Sequence, residues 1–357
     1  DINARREIRR FVGHNRPIRH VAFSPDGRYA FSTAENNTRV WDIGDLETTQ
    51  IGSVNVGSSR IGQIALGTAP LQSNILPVNP VPLSSIDPNA PQQWPVAFGY
   101  TGTGGIGAWN IATNESIIIP INVGSSPLAF SPTQPYALVA STDQTNEFSG
   151  LRLWDMTTAE YLWEDTVGQR VSTLAFGGDG RRVVFGGYLP FFPGDGSAAQ
   201  KAYSLIIWDV ETRAPVQSIA MPDDVKTTPV VLVALNHDDT LAAAVSRATD
   251  GSQTLIVWDV ETGLERWRET EFAATINAIA FNPNGRTLAV ALAATSNTVD
   301  IWDTTTGEGV LTLIGHNGGV NSMAFSPDGE TLLTGSEDKT LELWDMTNGQ
   351  PLRRFQG

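Results

Sequence analysis

The motif that most constrains this chain is a Trp followed by Asp or Asn, which recurs seven times in its 357 residues. These tryptophans are Trp41, Trp109, Trp154, Trp208, Trp258, Trp302 and Trp344, separated by 68, 45, 54, 50, 44 and 42 residues. A second shared segment precedes each of them and places Ala before Phe or Leu, at Ala22, Ala65, Ala129, Ala175, Ala234, Ala280 and Ala324. Repetition at this length is typical of folds in which each unit buries its core against the next.

Each repeat has the pattern of four short strands. The apolar run that ends in Ala-Phe has the length of a buried strand, and Ser-Pro-Asp-Gly follows it at 24–27 and 326–329. The Pro and Gly of this sequence set the backbone angles that a tight turn needs. A second strand such as 331–336, the strand that carries the Trp, and a more polar fourth strand such as 349–355 complete the unit.

Seven such units predict a ring. In one flat sheet their open edges would associate with other molecules, whereas radial closure leaves only short outer edges. The sequence therefore predicts an all-β fold, a seven-bladed β-propeller with four antiparallel strands per blade, as one domain over 1–357. The motifs resemble those of the WD-repeat β-propeller family, and the resemblance covers essentially the whole chain.

The resemblance implies a buried hydrogen-bond network in some blades. In that family a Gly-His pair before the first strand joins a Ser or Thr, an Asp and the Trp. The matching residues of the seventh repeat are His316 (after Gly315), Ser336, Asp338 and Trp344. Those of the first repeat are His14, Thr33, Trp41 and Glu35, which stands where Asp would be. The other five repeats lack the His, so we expect their blades to rest more on apolar packing.

The two ends of the chain carry the same element. Residues 1–13 and 345–357 share Asp, Arg-Arg-Phe and Gly at equal positions. The resemblance implies that both segments could form the same strand, the outer strand of blade seven. We expect 349–356 to fill it because short connections are the default. Segment 1–13 would then be surplus, or would belong to a neighbouring propeller in a longer parent chain; the alternative is that it latches the ring.

Two insertions interrupt the repeat. The first, 68–93, lies between the first and second strands of blade two and is either a structural elaboration or a binding loop. The second, 188–204, lies between the second and third strands of blade four. Its aromatic residues either fold back on the prolines of the loop or contact a partner, as exposed aromatics often do. These candidate contacts are Tyr188, Phe191, Phe192 and Tyr203.

Composition argues against several partner classes. The net charge of −15 disfavours nucleic acid and anionic membrane surfaces, although residues 1–40 carry eight Arg against four acidic residues. No apolar run reaches the ~18 residues that span a bilayer. The absence of Cys leaves the compartment open, with a cytoplasmic location favoured, and the ratio of 20 Arg to 3 Lys favours a bacterial source.

No motif for catalysis or for a metal is present in the sequence. The four His residues have no metal-ligand spacing, and a nucleophile-elbow pattern is absent. The Gly-rich stretch 101–105 precedes a Trp strand, whereas a phosphate cradle needs a helix N-terminus. We therefore expect no enzyme activity, no cofactor and no metal.

The sequence favours a non-catalytic scaffold that binds protein partners. The resemblance implies contacts around the central mouth, on the face of the Gly-His loops. The matching candidates include Arg16, Arg19, Asn277 and Asn321, and the two arginines would favour an acidic ligand segment. One alternative is a sensor or regulatory domain beside a kinase or a nucleotide-hydrolysing domain. Another is a central-channel ligand binder or enzyme, which an inward-facing His20 would favour.

Overall fold

The structure is a computed structural model that describes most of residues 14–356. The segments outside the description are 1–13, 25–26, 35–36, 44–49, 56–63, 69–94, 101–105, 111–114, 120–126, 135, 143–148, 156–159, 168, 192–199, 227, 294 and 357. The described residues form 28 strands in seven sheets of four. Each sheet is antiparallel and follows chain order, which is the arrangement expected from the sequence.

Of the first four sheets, sheet four contains the longest strands, two of ten residues each. Sheet one comprises β1 (Ile18–Phe23), β2 (Tyr29–Ala34), β3 (Asn37–Asp42) and β4 (Gln50–Asn55). Sheet two comprises β5 (Ile64–Thr68), β6 (Pro95–Tyr100), β7 (Ile106–Asn110) and β8 (Glu115–Ile119). Sheet three comprises β9 (Leu128–Phe130), β10 (Tyr136–Thr142), β11 (Ser149–Asp155) and β12 (Glu160–Thr166). Sheet four comprises β13 (Arg170–Phe176), β14 (Arg182–Phe191), β15 (Gln200–Asp209) and β16 (Ala214–Ala220).

The last three sheets have strands of five to seven residues. Sheet five comprises β17 (Val230–Leu235), β18 (Leu241–Arg247), β19 (Gln253–Asp259) and β20 (Glu265–Glu269). Sheet six comprises β21 (Ile276–Phe281), β22 (Thr287–Leu292), β23 (Thr298–Asp303) and β24 (Gly309–Ile314). Sheet seven comprises β25 (Val320–Phe325), β26 (Thr331–Ser336), β27 (Thr340–Asp345) and β28 (Pro351–Gln356).

The first strands hold the sheets together as a closed ring. The first strand of each sheet contacts the first strand of the next, and β25 contacts β1 to complete the circle. Turns between first and second strands and between third and fourth strands share one face, which we call the turn face. The other connections, including the Gly315-His316 loop, lie on the opposite face, which we call the mouth face. These two faces are where a ring of this kind can meet a ligand.

The repeated Trp packs in the seam between its own sheet and the preceding one. Trp344 of sheet seven lies in one cluster with Ile301 and Leu313 of sheet six. Trp258 of sheet five is clustered in the same way with Leu205 of sheet four. A buried Trp removes about 150–250 Å² from water, which stabilises each seam by about 4–6 kcal/mol at ~25 cal/mol per Å². This role explains why the Trp recurs at blade spacing.

The outer strand of sheet seven is contiguous with its neighbour, the arrangement we expected from short connections. Strand β28 pairs with β27, with Leu341 opposite Phe355 and Glu342 opposite Arg354. Segment 1–13 lies outside the described residues, as does the first insertion apart from Thr68. The roles of segment 1–13 and of the first insertion, and their places in the fold, stay predictions.

The second insertion extends a hairpin, and for Tyr203 this corrects the expectation of an exposed partner contact. Strands β14 and β15 continue pairing to Phe191 opposite Gln200. Because side chains alternate between faces along a strand, Tyr203 turns inward, is 6% exposed and packs in the core cluster. Tyr188 is half-buried against it, with ring centroids 5.3 Å apart. Phe192 lies outside the described residues.

Candidate functional site

The channel mouth is built from a bulge near the start of the first strand. In sheets one, five, six and seven the pairing register shifts at the second residue of that strand, and in sheet four it shifts at the third. A β-bulge turns the extra residue away from the regular ladder. The bulged residues are Arg19, Ser172, Val231, Asn277 and Asn321. Three of the mouth residues expected from the sequence therefore share this position.

Three of these bulged side chains hold the next sheet in place. Asn277 Nδ2 donates to the Val320 carbonyl at 3.0 Å, and Asn321 Nδ2 donates to the Ile18 carbonyl at 2.9 Å. Ser172 Oγ donates to the Val230 carbonyl at 3.0 Å. The Asn321 bond crosses the seam where sheet seven meets sheet one. The amides of Asn277 and Asn321 are thus committed to ring closure, which limits their use as partner contacts.

Arg19 is the one charged residue among the bulges of the described sheets. Its side chain is exposed, as is that of Arg16 in the connection that leads to β1. The two arginines lie three residues apart on the mouth face of sheet one. They give this part of an otherwise acidic molecule a local positive charge.

His20 lies beside this pair in β1 and is held neutral. Burial lowers the pKa of His20 to about 4, and the charge of Arg19 lowers it further in the same direction. Its register position in sheet one is that of Ser322 in sheet seven, whose hydroxyl accepts a hydrogen bond from Val21 N at 3.0 Å. His20 therefore belongs to the wall between neighbouring first strands.

We expect His20→Gln to reduce the acid sensitivity of the fold. Between pH 6.5 and 4 the unfolded chain protonates this imidazole while the folded chain keeps it neutral. The free energy of unfolding therefore falls as the pH decreases through that window. Because the residue is partly accessible to solvent, the variant should lose about 1–2 kcal/mol less than wild type between pH 7 and 4. Urea titrations at both pH values measure this, with the exposed His237→Gln as control. Equal losses in wild type and variant would contradict the expectation.

A directional chain of hydrogen bonds crosses sheet seven. Trp344 Nε1 donates to Thr334 Oγ1 at 2.9 Å, and Thr334 Oγ1 lies 2.7 Å from His316 Nε2. His316 Nδ1 lies 3.2 Å from Asp338 Oδ2. The carboxylate fixes the tautomer with the proton on Nδ1, which leaves Nε2 to accept from Thr334. Burial would raise the pKa of Asp338, but the hydrogen bonds from His316 and Thr340 hold it well below its ordinary value.

The hydroxyl in this chain is Thr334, and the expectation of Ser336 was wrong. Ser336 Oγ instead donates to the Gly318 carbonyl at 2.8 Å and accepts from Asp338 N. The Gly315 position is required by packing, because a Cβ there would lie 2.8 Å from Trp344 Cη2. His316, Asp338 and Trp344 occupy the places that the sequence indicated.

Sheet one contains a shorter version of the same chain. His14 Nε2 lies 2.8 Å from Ser32 Oγ, which also accepts from Trp41 Nε1 at 2.8 Å. The hydroxyl is therefore Ser32, whereas Thr33 Oγ1 is buried without a partner in the described part of the chain. Glu35 lies outside the described residues. Burial lowers the pKa of His14 to about 4, and the charge of Arg39 adds to the effect.

Other described sheets replace the polar network by apolar side chains. The register position of Thr334 is Val139 in sheet three, Phe185 in sheet four, Ala244 in sheet five and Val290 in sheet six. In sheet six Phe272 stands at the His316 position and packs against Trp302, with ring centroids 6.0 Å apart. The indole nitrogens of Trp154, Trp208 and Trp302 are buried without partners among the described residues. In sheet six both the hydroxyl and the His of the network are thus replaced together by apolar side chains.

The comparison with known families agrees with this geometry. A model of the WD domain, G-beta repeat, matches residues 5–42, 269–303 and 307–345, which include the Trp motifs of sheets one, six and seven. These three regions of the chain are WD repeats. A search of curated proteins found no significant match.

WD-repeat domains generally act as interaction scaffolds and are typically non-enzymatic. Among the described residues of this chain, no group of three or more acidic or His side chains is placed to hold a metal ion. No helix in the described part of the chain is long and apolar enough to cross a membrane.

A buried carboxyl between sheets four and five was missed at the sequence level. Asp239 occupies the turn position that Gly holds in four other sheets and adopts the same left-handed backbone, with φ of 58°. It is 4% exposed, and its Oδ1 has no hydrogen-bond partner among the described residues. Burial raises its pKa to about 7, and the neighbouring Asp179 adds to this. The signal was Asn-His-Asp-Asp at 236–239, where sheets one and seven have Ser-Pro-Asp-Gly.

Proposed function

We propose that this WD-repeat protein is a non-catalytic scaffold that binds a partner protein at the mouth face. The proposal assigns the contact to the sheet-one arc of the mouth, where Arg16 and Arg19 would meet an acidic segment. The observation that carries it is the division among the bulged residues. The side chains of Ser172, Asn277 and Asn321 donate hydrogen bonds to the next sheet, whereas that of Arg19 is exposed and charged.

Electrostatics support an acidic partner segment at this arc. The whole chain has a net charge of −15, so an acidic ligand is repelled by most of the surface. A local positive pair therefore both attracts such a ligand and fixes where it binds. Arginine suits this task because its planar guanidinium pairs with a carboxylate through two hydrogen bonds.

Charge reversal tests the proposal. We expect the double variant Arg16→Glu, Arg19→Glu to weaken binding of a fluorescein-labelled hexaglutamate peptide at least ~10-fold in low salt, by fluorescence anisotropy. The control is Arg213→Glu, Arg286→Glu, which makes the same charge change at exposed residues of the turn face. An equal loss in both double variants would mean that only net charge matters. No loss in the mouth variant would also contradict the proposal.

A further inference from the structure

A groove of about 630 Å³ opens on the turn face between sheets six and seven. Its floor reaches Ile301, Leu311 and Met346, and Val310 at its edge is 55% exposed. Its polar walls comprise Asn282, Asn284 and Arg286 from sheet six, and Asp328, Glu330 and Asn348 from sheet seven. It therefore combines an apolar floor with charged walls.

The seam between sheets five and six holds an equivalent groove, which is smaller. That groove measures about 450 Å³, and Leu241 is its only apolar lining residue. The pairing register shows which residues correspond, because Trp267 lies opposite Val257 and Leu311 lies opposite Ile301. Ile301 and Leu311 line the larger groove, whereas Val257 and Trp267 do not line the smaller one.

The indole of Trp267 accounts for this difference. It is 9% exposed, it donates from Nε1 to the Thr304 carbonyl at 3.0 Å, and it stacks on Trp302 at 6.1 Å between ring centroids. Both seams are closed by a Gly of the following sheet: a Cβ on Gly307 would lie 2.7 Å from Trp267, and one on Gly349 would lie 2.7 Å from Leu311. The two seams therefore have the same surroundings at this position. Sheet six has Leu311 where sheet five has Trp267, and the smaller side chain leaves the floor of the larger groove uncovered.

The charges of the two grooves differ. In the smaller groove Arg266, at the register position of Val310, adjoins Trp267 in sequence and pairs with Asp259 at 3.0 Å. In the larger groove the hydrogen bonds from Ser326 and from Glu330 N lower the pKa of Asp328, so this wall is anionic. Within the described chain, no ion pair joins Arg286 to Asp328 or Glu330. At the edge of the larger groove, the position of Arg266 is occupied by the apolar Val310. The acidic wall of that groove therefore has no basic side chain at this position.

We propose that the larger groove is a docking site for a segment of a partner protein that presents a tryptophan next to a basic residue. The indole covers Leu311 and Met346, as Trp267 covers the other floor, and the basic residue meets Asp328 and Glu330. The site lies on the face opposite the channel mouth, so it is separate from the proposed mouth contact. The chain would then hold two partner segments at once, one on each face.

A peptide that copies the internal Arg-Trp-Arg sequence of 266–268 tests this docking site. The probe is fluorescein-labelled Ser-Arg-Trp-Arg-Ser-amide, titrated against the whole chain by fluorescence anisotropy. We expect saturable binding that weakens at least ~10-fold when the peptide Trp is replaced by Ala. Leu311→Trp should cause a similar loss, because its own indole fills the floor. The control Ile314→Trp adds an indole on the same strand at a side chain that is 74% exposed and outside the groove lining.

Two further variants keep the test informative if Leu311→Trp fails to fold. Val310→Arg places a cation at the exposed edge and should weaken the peptide at least ~5-fold by repulsion. Asp328→Asn with Glu330→Gln should weaken it ~3–10-fold and reduce the salt dependence of binding. The Arg16→Glu, Arg19→Glu protein should bind the peptide like wild type, which separates this site from the mouth. Binding that is absent, insensitive to the peptide Trp, or unchanged in Leu311→Trp and Val310→Arg would overturn the proposal.

Discussion

Replacing Asp239 by Gly is expected to stabilise the folded chain by about 3 kcal/mol at pH 8. The native carboxyl is 4% exposed, lacks a partner for Oδ1 and sits on a left-handed backbone at φ 58°. Glycine adopts this angle without strain, as Gly27 and Gly285 do in the same turn of other sheets. The loss of the 4.0 Å contact with Arg182 is the smaller effect because that pair is long.

The advantage of Asp239→Gly should depend on pH. The folded pKa of Asp239 is about 7 against an ordinary 3.8, so the folded chain keeps a proton that the unfolded chain releases. Wild-type stability from this group therefore falls as the pH rises from about 4 to 7 and does not recover above. We expect the advantage to be about 1 kcal/mol at pH 5 and about 3 kcal/mol at pH 8, by urea unfolding.

Asp239→Asn is the matched control because it removes the charge and keeps the strained backbone. Asp239→Asn should show the pH-dependent part of the increase in stability and lack the part that comes from relief of backbone strain. A glycine variant that is less stable than wild type at pH 8 would contradict the interpretation of a costly buried carboxyl. An advantage that stays constant between pH 5 and 8 would contradict the role of ionisation.

Thr334→Val is expected to destabilise the fold by about 2–3 kcal/mol. Valine keeps the shape but removes the hydroxyl that lies between Trp344 Nε1 and His316 Nε2, so two buried polar groups lose their partner. A buried polar group without a partner costs about 1–3 kcal/mol. Chemical unfolding of the variant against wild type at pH 7 measures the loss.

A double-mutant cycle separates the network from simple packing. His316→Phe combined with Thr334→Val copies the pair that sheet six uses, Phe272 and Val290. We expect the double variant to cost about 1–2 kcal/mol less than the sum of the single variants, because the groups depend on each other. Additive losses would show that the chain is not a cooperative unit.

The fold was predictable because the repeat, the turn sequences and the strand patterns all indicate the same architecture. The Trp and His of the network were predictable for the same reason. The hydroxyl was misplaced by two residues, since spacing alone does not show that Thr334 faces the indole while Ser336 faces Gly318. Tyr203 was misplaced because the insertion continues β14 and β15, and pairing, which sequence does not give, decides which side chains turn inward.

The groove and the buried carboxyl lie further from what a sequence can show. Leu311 is an ordinary strand residue until the register sets it beside Trp267 of the neighbouring seam. Asp239 is visible as a departure from the turn consensus, but its burial depends on the close approach of sheet four, where a Cβ on Gly177 would overlap Asp239 Oδ1. Both features arise from contacts between repeats, whereas motifs describe a repeat by itself.

The hydrogen bonds from the mouth bulges also bear on how this molecule can change over evolutionary time. Substituting Asn277 or Asn321 alters a contact between repeats as well as the surface a ligand meets, so each such change affects assembly of the ring. Arg19 and Val231 stand at the same position, and within the described residues neither side chain forms a hydrogen bond to the next sheet. New ligand preferences are therefore expected to arise first in sheets one and five, with sheets six and seven serving as the constant part of the rim.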